Sequence, residues 1–227
     1  MNDDLIRDCI EWDVVNWSKA LQFWDTSATV KKGGLTCLEL GSRGGGLSLW
    51  LASQGNTVVC SDYLNPQKEA ELLHNKYSIQ GKISYQAIDA TSIPYENHFD
   101  IIVFKSILGG IGRNNKSHLI QETISQILKA LKPGGKLLFA ENLRGSKLHQ
   151  FIRKKLVAWS YWNYLEMNEA EQMFKQFSSF EFQTAGFLGL FGRSEFQRNV
   201  LGNVDTLLFE KIMPDNMKYI LFGVAIK

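Results

Sequence analysis

The chain has 227 residues and a net charge of +2, with 44% hydrophobic and 21% charged residues. This average globular composition excludes disordered, collagen-like and low-complexity proteins. A charge this mild does not indicate a nucleic-acid partner, so we expect no specific nucleic acid.

The predicted elements alternate between short strands and longer helices. A Trp-rich helix over 13–25 comes first. Strands are expected at 35–40, 57–60, 83–88, 99–104, 136–140, 180–184 and 219–226. Helices are expected at 47–53, 66–77, 116–131, 147–159, 169–177 and 195–212. This alternation is typical of βα units around a mostly parallel sheet.

The start of the chain and its cysteines bear on location. The start, Met-Asn-Asp-Asp, lacks the basic residues and apolar run of a secretory signal, and no apolar stretch reaches the ~18 residues of a membrane span. Cys9, Cys37 and Cys60 have no C-x-x-C spacing, so we expect buried thiols in a reducing compartment. We therefore predict a cytoplasmic protein, monomeric or homodimeric.

A glycine-rich loop joins the first core strand to the following helix, reading Glu39-Leu-Gly-Ser-Arg-Gly-Gly-Gly46. Glycine permits positive φ and close approach of a ligand to the backbone. The helix N-terminus favours a carboxylate or phosphate. Asp62 ends the second strand about 20 residues later, where an acid can accept hydrogen bonds from a ribose diol. The loop and the acid together predict a dinucleotide or S-adenosylmethionine.

Three sequence features favour S-adenosylmethionine. A G-x-G-x-x-G string is absent, and no tyrosine is followed by lysine four residues later, as a short-chain dehydrogenase requires. Glu39 stands two positions before Gly41, which suits a cofactor whose positively charged amino group must be held nearby.

Five motifs between Leu35 and Glu141 together resemble the class I S-adenosylmethionine-dependent methyltransferases. They are the loop 39–45, Asp62, Asp89-Ala90, Phe99-Asp100 and 131–135 (Leu-Lys-Pro-Gly-Gly). The resemblance implies an α/β, Rossmann-like fold with a seven-stranded, mostly parallel sheet of order 3-2-1-4-5-7-6, the last strand antiparallel, and helices on both faces. Arg43 replaces the family's middle glycine, so we expect Gly44 to supply the loop's flexibility.

The resemblance also implies how the chain is divided. We expect a single methyltransferase domain over 1–227, with a helical lid at 1–30, a cofactor-binding core at 35–141, and acceptor-side helices with strands six and seven at 142–227. Residues expected to contact the cofactor are Trp17, Glu39, Gly41, Ser42, Arg43, Gly45, Asp62, Tyr63, Asp89, Ala90 and Lys105.

Several methyltransferase subclasses lack their motifs here. Residues 104–107 read Phe-Lys-Ser-Ile, without the prolines of the amino-group methylases, and Lys105 stands where catechol-type enzymes place a metal ligand. No cysteine is placed for pyrimidine C5 chemistry. We therefore expect a metal-free enzyme that methylates a hydroxyl of a small molecule, such as a sugar or a lipid- or nucleotide-linked saccharide. His149 and Glu141 are the candidate general bases.

A basic helix after the fifth strand bears on the acceptor. Residues 144–155 carry five basic residues and no acid, with apolar residues on the other face. This pattern fits a solvated surface, an anionic acceptor, or weak contact of 144–159 with a membrane surface. Two other functions stay open: a non-catalytic S-adenosylmethionine-binding or interaction protein on the same fold, and a tRNA or protein methylase.

Overall fold

The computed structural model describes residues 2–156 and 162–227. Their central feature is a seven-stranded sheet of order β3-β2-β1-β4-β5-β7-β6. The strands are β1 (Thr36–Leu40), β2 (Thr57–Asp62), β3 (Ile83–Ala87), β4 (Phe99–Lys105), β5 (Leu131–Asn142), β6 (Ser179–Ala185) and β7 (Ile220–Ile226). Neighbouring strands run parallel, except that β7 is antiparallel to both β5 and β6. The predicted order and the antiparallel last strand are confirmed.

Helices pack on both faces of the sheet. They are α1 (Asp3–Ile10), α2 (Val14–Ser27), α3 (Gly46–Ser53), α4 (Gln67–Lys76), α5 (Leu108–Ile111), α6 (Ser117–Ala130), α7 (Lys147–Leu156), α8 (Met167–Phe174), α9 (Glu195–Val204) and α10 (Glu210–Ile212). The predicted continuation of α7 over 157–159 lies outside the described residues. Within the described ranges, no helix is both long and apolar enough to cross a membrane.

Alternating side chains on the strands supply two apolar layers. In β1, Cys37 belongs to the layer that contains Trp50 of α3, while Leu38 belongs to the opposite layer with Ile124 of α6. Successive strand residues point to opposite faces, so Glu39 lies on the same side as Cys37, towards α3.

Two helical segments differ from the sequence-based expectation. Helix α1 lies within the expected helical lid at 1–30, although no bounds were predicted for it; it begins at Asp3, after Asn2, whose side chain accepts a hydrogen bond from the Leu5 N–H, and it buries Cys9 and Ile10 at its end. The helix expected over 195–212 is interrupted by a π-helical turn at Asp205–Phe209.

Strand β5 also starts earlier than predicted. It begins at Leu131 rather than at residue 136, because Leu131 already pairs with Phe99. A register shift then separates this pair from the regular pairing that resumes at Ile101 and Lys136. The Pro-Gly-Gly sequence therefore lies inside an irregular strand and not in a separate turn.

Candidate functional site

The carboxyl ends of β1, β2 and β4 meet at one edge of the sheet. Strands β2 and β3 lie on one side of β1, and β4 and β5 lie on the other, so the strand order reverses between β1 and β4. Such a reversal opens a crevice in which α/β sheets bind ligands. The glycine loop follows β1, Asp62 ends β2 and Lys105 ends β4. The fold thus brings these predicted residues to one edge.

The glycine loop uses left-handed backbone at three positions: Gly41 (φ 65°), Arg43 (φ 48°) and Gly45 (φ 78°). The buried Ser42 is fixed by its N–H, which donates to the Ser61 carbonyl at 2.8 Å. The expectation that Gly44 would take over the flexibility of the missing glycine is wrong, because Arg43 itself adopts the left-handed conformation. A side chain there costs on the order of 1 kcal/mol.

Asp62 holds the loop in this conformation. Its Oδ2 accepts a hydrogen bond from the Arg43 N–H at 2.8 Å, and its Oδ1 accepts one from the Tyr63 N–H at 2.7 Å. A carboxylate has about four acceptor positions, so capacity remains for a ligand hydroxyl.

Glu39 is committed to the helix that follows the loop. Its carboxylate accepts hydrogen bonds from Leu47 N (3.2 Å), Ser48 N (2.7 Å) and Ser48 Oγ (2.6 Å). The side chain is only 3% exposed, and burial raises its pKa to about 7. The predicted contact of Glu39 with a ligand ammonium therefore has no support in this structure; the carboxylate positions α3 instead.

The end of α1 closes over the glycine loop. A Cβ built on Gly46 would lie 2.3 Å from the Cys9 carbonyl oxygen, and one on Gly44 would lie 2.8 Å from Glu11 Oε1. Lys105 Nζ donates to the Ile10 carbonyl at 2.6 Å, which links the same segment to β4. Glu11, which the sequence analysis missed, is thus an acid that faces the loop from the lid.

Lys105 lies between two tryptophans of the N-terminal segment. Its Nζ is 5.7 Å from the Trp12 ring centroid and 5.6 Å from that of Trp17. Burial lowers the pKa of Lys105 to about 8. Trp17 is fully buried against this ammonium, so its contact with a cofactor stays a prediction.

The remaining predicted cofactor residues follow β2 and β3. Tyr63 is 72% exposed. Asp89 is exposed and accepts hydrogen bonds from Thr91 N (2.9 Å) and Thr91 Oγ1 (2.7 Å) through Oδ1 alone. Ala90 is half-buried beside it. Their positions leave one oxygen of Asp89 and the Tyr63 ring accessible at the ligand edge.

His149 does not have the geometry of a general base. Its Nδ1 accepts a hydrogen bond from the Ser146 N–H at 3.1 Å, and its Nε2 lies 2.8 Å from the Phe187 carbonyl, to which it donates. The ring is fully buried, and burial lowers its pKa. Both nitrogens are already paired, so the structure gives no support to the prediction of a catalytic base at His149.

Glu141 is likewise a structural anchor. Its Oε2 accepts from the Leu108 N–H at 2.7 Å and its Oε1 from the Asn142 N–H at 2.9 Å. The side chain is fully buried, and burial raises its pKa to about 7. The carboxylate fixes the start of α5 directly after β4, and it has no exposed oxygen for an acceptor. The structure therefore gives no support to the prediction of a catalytic base at Glu141 either.

Two clefts lie beside the carboxyl end of β5, on either side of Arg144 and Gln150. One, of about 250 Å³, extends to Leu165 and Glu166. The other, of about 300 Å³, is lined by Arg144, Gln150, Arg153, Lys154, Trp162, Asn163 and Tyr164. No element and no role were predicted from the sequence for residues 162–164, which form part of its wall.

The part of the chain that the structure describes contains neither a cluster of metal-ligating side chains nor a disulfide. Within it, no three His, Cys, Asp or Glu side chains come together as metal ligands. Cys9, Cys37 and Cys60 are buried and unpaired, and burial raises the pKa of Cys60 to about 12.

Comparison with known proteins agrees with the geometry. Residues 38–139 match a family model described as a methyltransferase domain. No curated protein matches the sequence. Among solved structures, phosphoethanolamine N-methyltransferase 2 of Haemonchus contortus, in complex with S-adenosyl-L-methionine, has a TM-score of 0.66 at 18% identity over 93% of this chain. This chain spans about half (52%) of that protein's length.

Two other structures show the range of proteins with this fold. The N-methyltransferase NodS from Bradyrhizobium japonicum has a TM-score of 0.59 at 16% identity, covering 93% of this chain and 95% of that one. The [4+2]-cyclase SpnF has a TM-score of 0.57 at 17% identity, covering 88% and 78%. Identities this low establish the shared fold alone.

Proposed function

We propose that the chain binds S-adenosylmethionine and transfers its methyl group to a small molecule, since residues 38–139 match a family model described as a methyltransferase domain. The observation that carries the proposal is the loop of Gly41, Arg43 and Gly45, held by Asp62 at the β1–β4 crevice. A loop held in this way presents its backbone to a ligand at the point where the strand order reverses.

The residues at this edge fit the cofactor by their chemistry. The remaining acceptor positions of Asp62 suit a ribose diol, and the free oxygen of Asp89 suits an adenine amino group. Tyr63 and Leu64, 72% and 75% exposed, offer apolar surface beside them. Glu11 faces the loop from the lid, and we assign to it the ammonium contact expected of Glu39. When bound, S-adenosylmethionine supplies an activated methyl group and a neutral leaving group.

The lid and the crevice are the parts of this chain that we expect to position the reactants. The segment that contains Ile10, Glu11 and Trp12 covers part of the loop, and Lys105 links it to the end of β4. Alignment of an acceptor with the methyl group is the main catalytic contribution that such a site makes. The clefts beside β5 give an acceptor room, which supports an enzyme over a non-catalytic binding protein.

Two acceptor atoms are consistent with this site. A hydroxyl, on a sugar or a linked saccharide, is the acceptor expected from the sequence. A hydroxyl acceptor needs a general base to remove its proton. An amine nitrogen, which can lose its proton to solvent before it reacts, is the second candidate. The engagement of both His149 nitrogens and of the Glu141 carboxylate favours the amine, since neither residue is free to take a proton.

Calorimetry with S-adenosylmethionine and with its demethylated product tests the cofactor site. We expect both to bind, and binding of neither would refute the proposal. Incubation with methyl-labelled cofactor and a small-molecule extract, followed by mass spectrometry and NMR of the labelled product, then identifies the methylated atom. A non-catalytic binding protein would bind the cofactor and label nothing.

We also propose how the chain is divided into functional regions, where in the cell it is located, and its oligomeric state. We place the lid in 1–30, the cofactor core in 35–141 and the acceptor side in 142–227, supported by the contact of α1 with the loop and by the clefts. Three free, buried cysteines support a cytoplasmic location. We propose a monomer or homodimer without a nucleic-acid partner; retention on heparin at moderate salt would favour a tRNA methylase instead.

A further inference from the structure

We propose that the cleft of about 300 Å³ beside α7 is an oxyanion site, in which Arg153 holds a phosphate group of the methyl acceptor. The assignment of this phosphate to an acceptor rests on the proposed function; the anion site itself does not.

Arg153 is a buried guanidinium with part of its hydrogen-bonding capacity unused. The residue is 5% exposed. Its Nη1 donates to the carbonyls of Leu143 (2.6 Å) and Arg144 (3.0 Å), and its plane lies 3.8 Å from the Tyr164 ring centroid. Its Nη2 is buried and has no hydrogen-bond partner among the described residues. A buried, unpaired donor on a charged group is costly, and such groups normally have a partner.

No carboxylate within the described ranges neutralises Arg153. It forms no ion pair there, although Arg144 nearby pairs with Glu166. The cleft that Arg153 lines also contains Arg144 and Lys154 and no acidic side chain. Burial lowers the pKa of Arg153 to about 10, which still leaves it charged at neutral pH. A cavity with three cations, no acid and an unused guanidinium arm matches an oxyanion, which guanidinium binds through paired N–H donors.

The position of the cleft connects it to the reaction edge. Its wall is anchored by Asn163 N, which donates to the Gly109 carbonyl at 3.0 Å just after β4, and by the bridge between Leu143 and Leu165 at the end of β5. Adjacent strands are about 4.8 Å apart, so β5 lies roughly 10 Å from the β1 side of the crevice. We therefore expect an acceptor whose phosphate and methylated atom are separated by several bonds.

Titration with inorganic phosphate at constant ionic strength tests the site in the full-length protein. We compare the wild type with Arg153→Lys, which keeps the charge and a donor for the Leu143 carbonyl but removes the unpaired Nη2 of this cleft-lining residue. Lys155→Ala is the control, because Lys155 is exposed on the same helix and lines neither cleft. We expect Arg153→Lys to bind phosphate at least tenfold more weakly, and Lys155→Ala to bind within twofold of the wild type.

Two outcomes overturn the proposal: no phosphate binding by the wild type, or equal binding by wild type and Arg153→Lys. If Arg153→Lys does not fold, Lys154→Ala decides, since Lys154 is exposed yet lines the cleft; an affinity equal to that of Lys155→Ala overturns the site. S-adenosylmethionine binding is measured on the same samples. Its absence in the wild type would refute the proposed function and leave the phosphate result standing.

A second experiment distinguishes a soluble phosphate ester from a lipid headgroup as the ligand of this site. Leu148 and Phe151 of α7 are 51% and 56% exposed, so a lipid could contact them. We compare glycerol phosphate with phosphatidylcholine vesicles containing phosphatidic acid. Arg153-dependent binding of glycerol phosphate alone assigns the site to a soluble acceptor, and Arg153-dependent binding of the vesicles alone assigns it to a lipid. Binding of both without dependence on Arg153 counts against the site.

Discussion

The Oδ2 atom of Asp62 lies 2.8 Å from the backbone nitrogen of Arg43. The acid at the end of β2 therefore stabilises the one position of the glycine loop at which a side chain replaces the expected glycine. Since Arg43 is held at φ 48°, this hydrogen bond offsets part of the strain of the left-handed backbone. Asp62 thus holds the loop, and we propose that its remaining acceptor positions bind a ligand.

Replacement of Asp62 by alanine should strongly weaken the binding of S-adenosylmethionine. Each hydrogen bond to a charged group contributes about 1.5–3 kcal/mol, and the variant loses those to the ligand as well as the loop anchor. We expect the affinity for S-adenosylmethionine to fall on the order of 100-fold or more, as measured by calorimetry.

The control for this prediction is Lys147→Ala, an exposed position on α7 that is remote from the loop in sequence. It should bind S-adenosylmethionine as the wild type does. Equal affinities for Asp62→Ala and Lys147→Ala would show that the cofactor site has been placed wrongly.

Replacement of Gly46 by alanine should loosen the lid. The added Cβ would lie 2.3 Å from the carbonyl oxygen of Cys9, which is backbone and cannot rotate away. We expect a loss of about 1–3 kcal/mol in the free energy of unfolding and faster hydrogen exchange in α1. Gly81→Ala is the matched control, because a Cβ there meets nothing within 4 Å. Unchanged exchange in α1 of Gly46→Ala would contradict the contact between lid and loop.

Local patterns in the sequence predicted the sheet well. The apolar run of Phe99–Phe104 gave a strand buried on both faces, and β4 occupies Phe99–Lys105. The glycines and Asp62 were placed at one edge because a parallel sheet brings the ends of its strands together. Such features depend on neighbours in sequence and on the handedness of βα units.

The side-chain roles could not be read from the sequence because they depend on distant partners. His149 was a candidate base by its distance from β5, but its Nε2 pairs with Phe187, 38 residues away. Glu141 was a candidate for the same reason, and it pairs with Leu108, 33 residues earlier. A helical lid was expected at 1–30, but the fit of α1 over the glycine loop could not be predicted, because it is a tertiary contact.

Replacement of Glu141 by glutamine should change the pH dependence of stability. Burial raises the pKa of Glu141 from 4.5 to about 7. The folded state therefore holds a proton that the unfolded state releases above pH 4.5, and this contribution to stability is lost as the pH rises from about 4.5 to about 7. Glutamine does not titrate, so the variant lacks this loss.

The measurement is denaturant unfolding of wild type and Glu141→Gln between pH 5 and pH 8. His74 and His149, whose pKa values are lowered by burial, act in the opposite direction below pH 6.5 in both proteins, so the difference between the two curves is the readout. We expect the variant to be more destabilised at pH 5 than at pH 8. A constant difference across this range would mean that Glu141 is ionised throughout.

Replacement of His149 by asparagine should lower stability without affecting the cofactor. The variant leaves the Ser146 N–H and the Phe187 carbonyl without their buried partner, which costs about 1–3 kcal/mol in the free energy of unfolding. His118→Asn, at an exposed position, should stay within about 0.5 kcal/mol of the wild type. Denaturant unfolding and calorimetry with S-adenosylmethionine measure both effects. A catalytic base would give the reverse pattern, with native stability in His149→Asn and loss of methyl transfer once the acceptor is in hand.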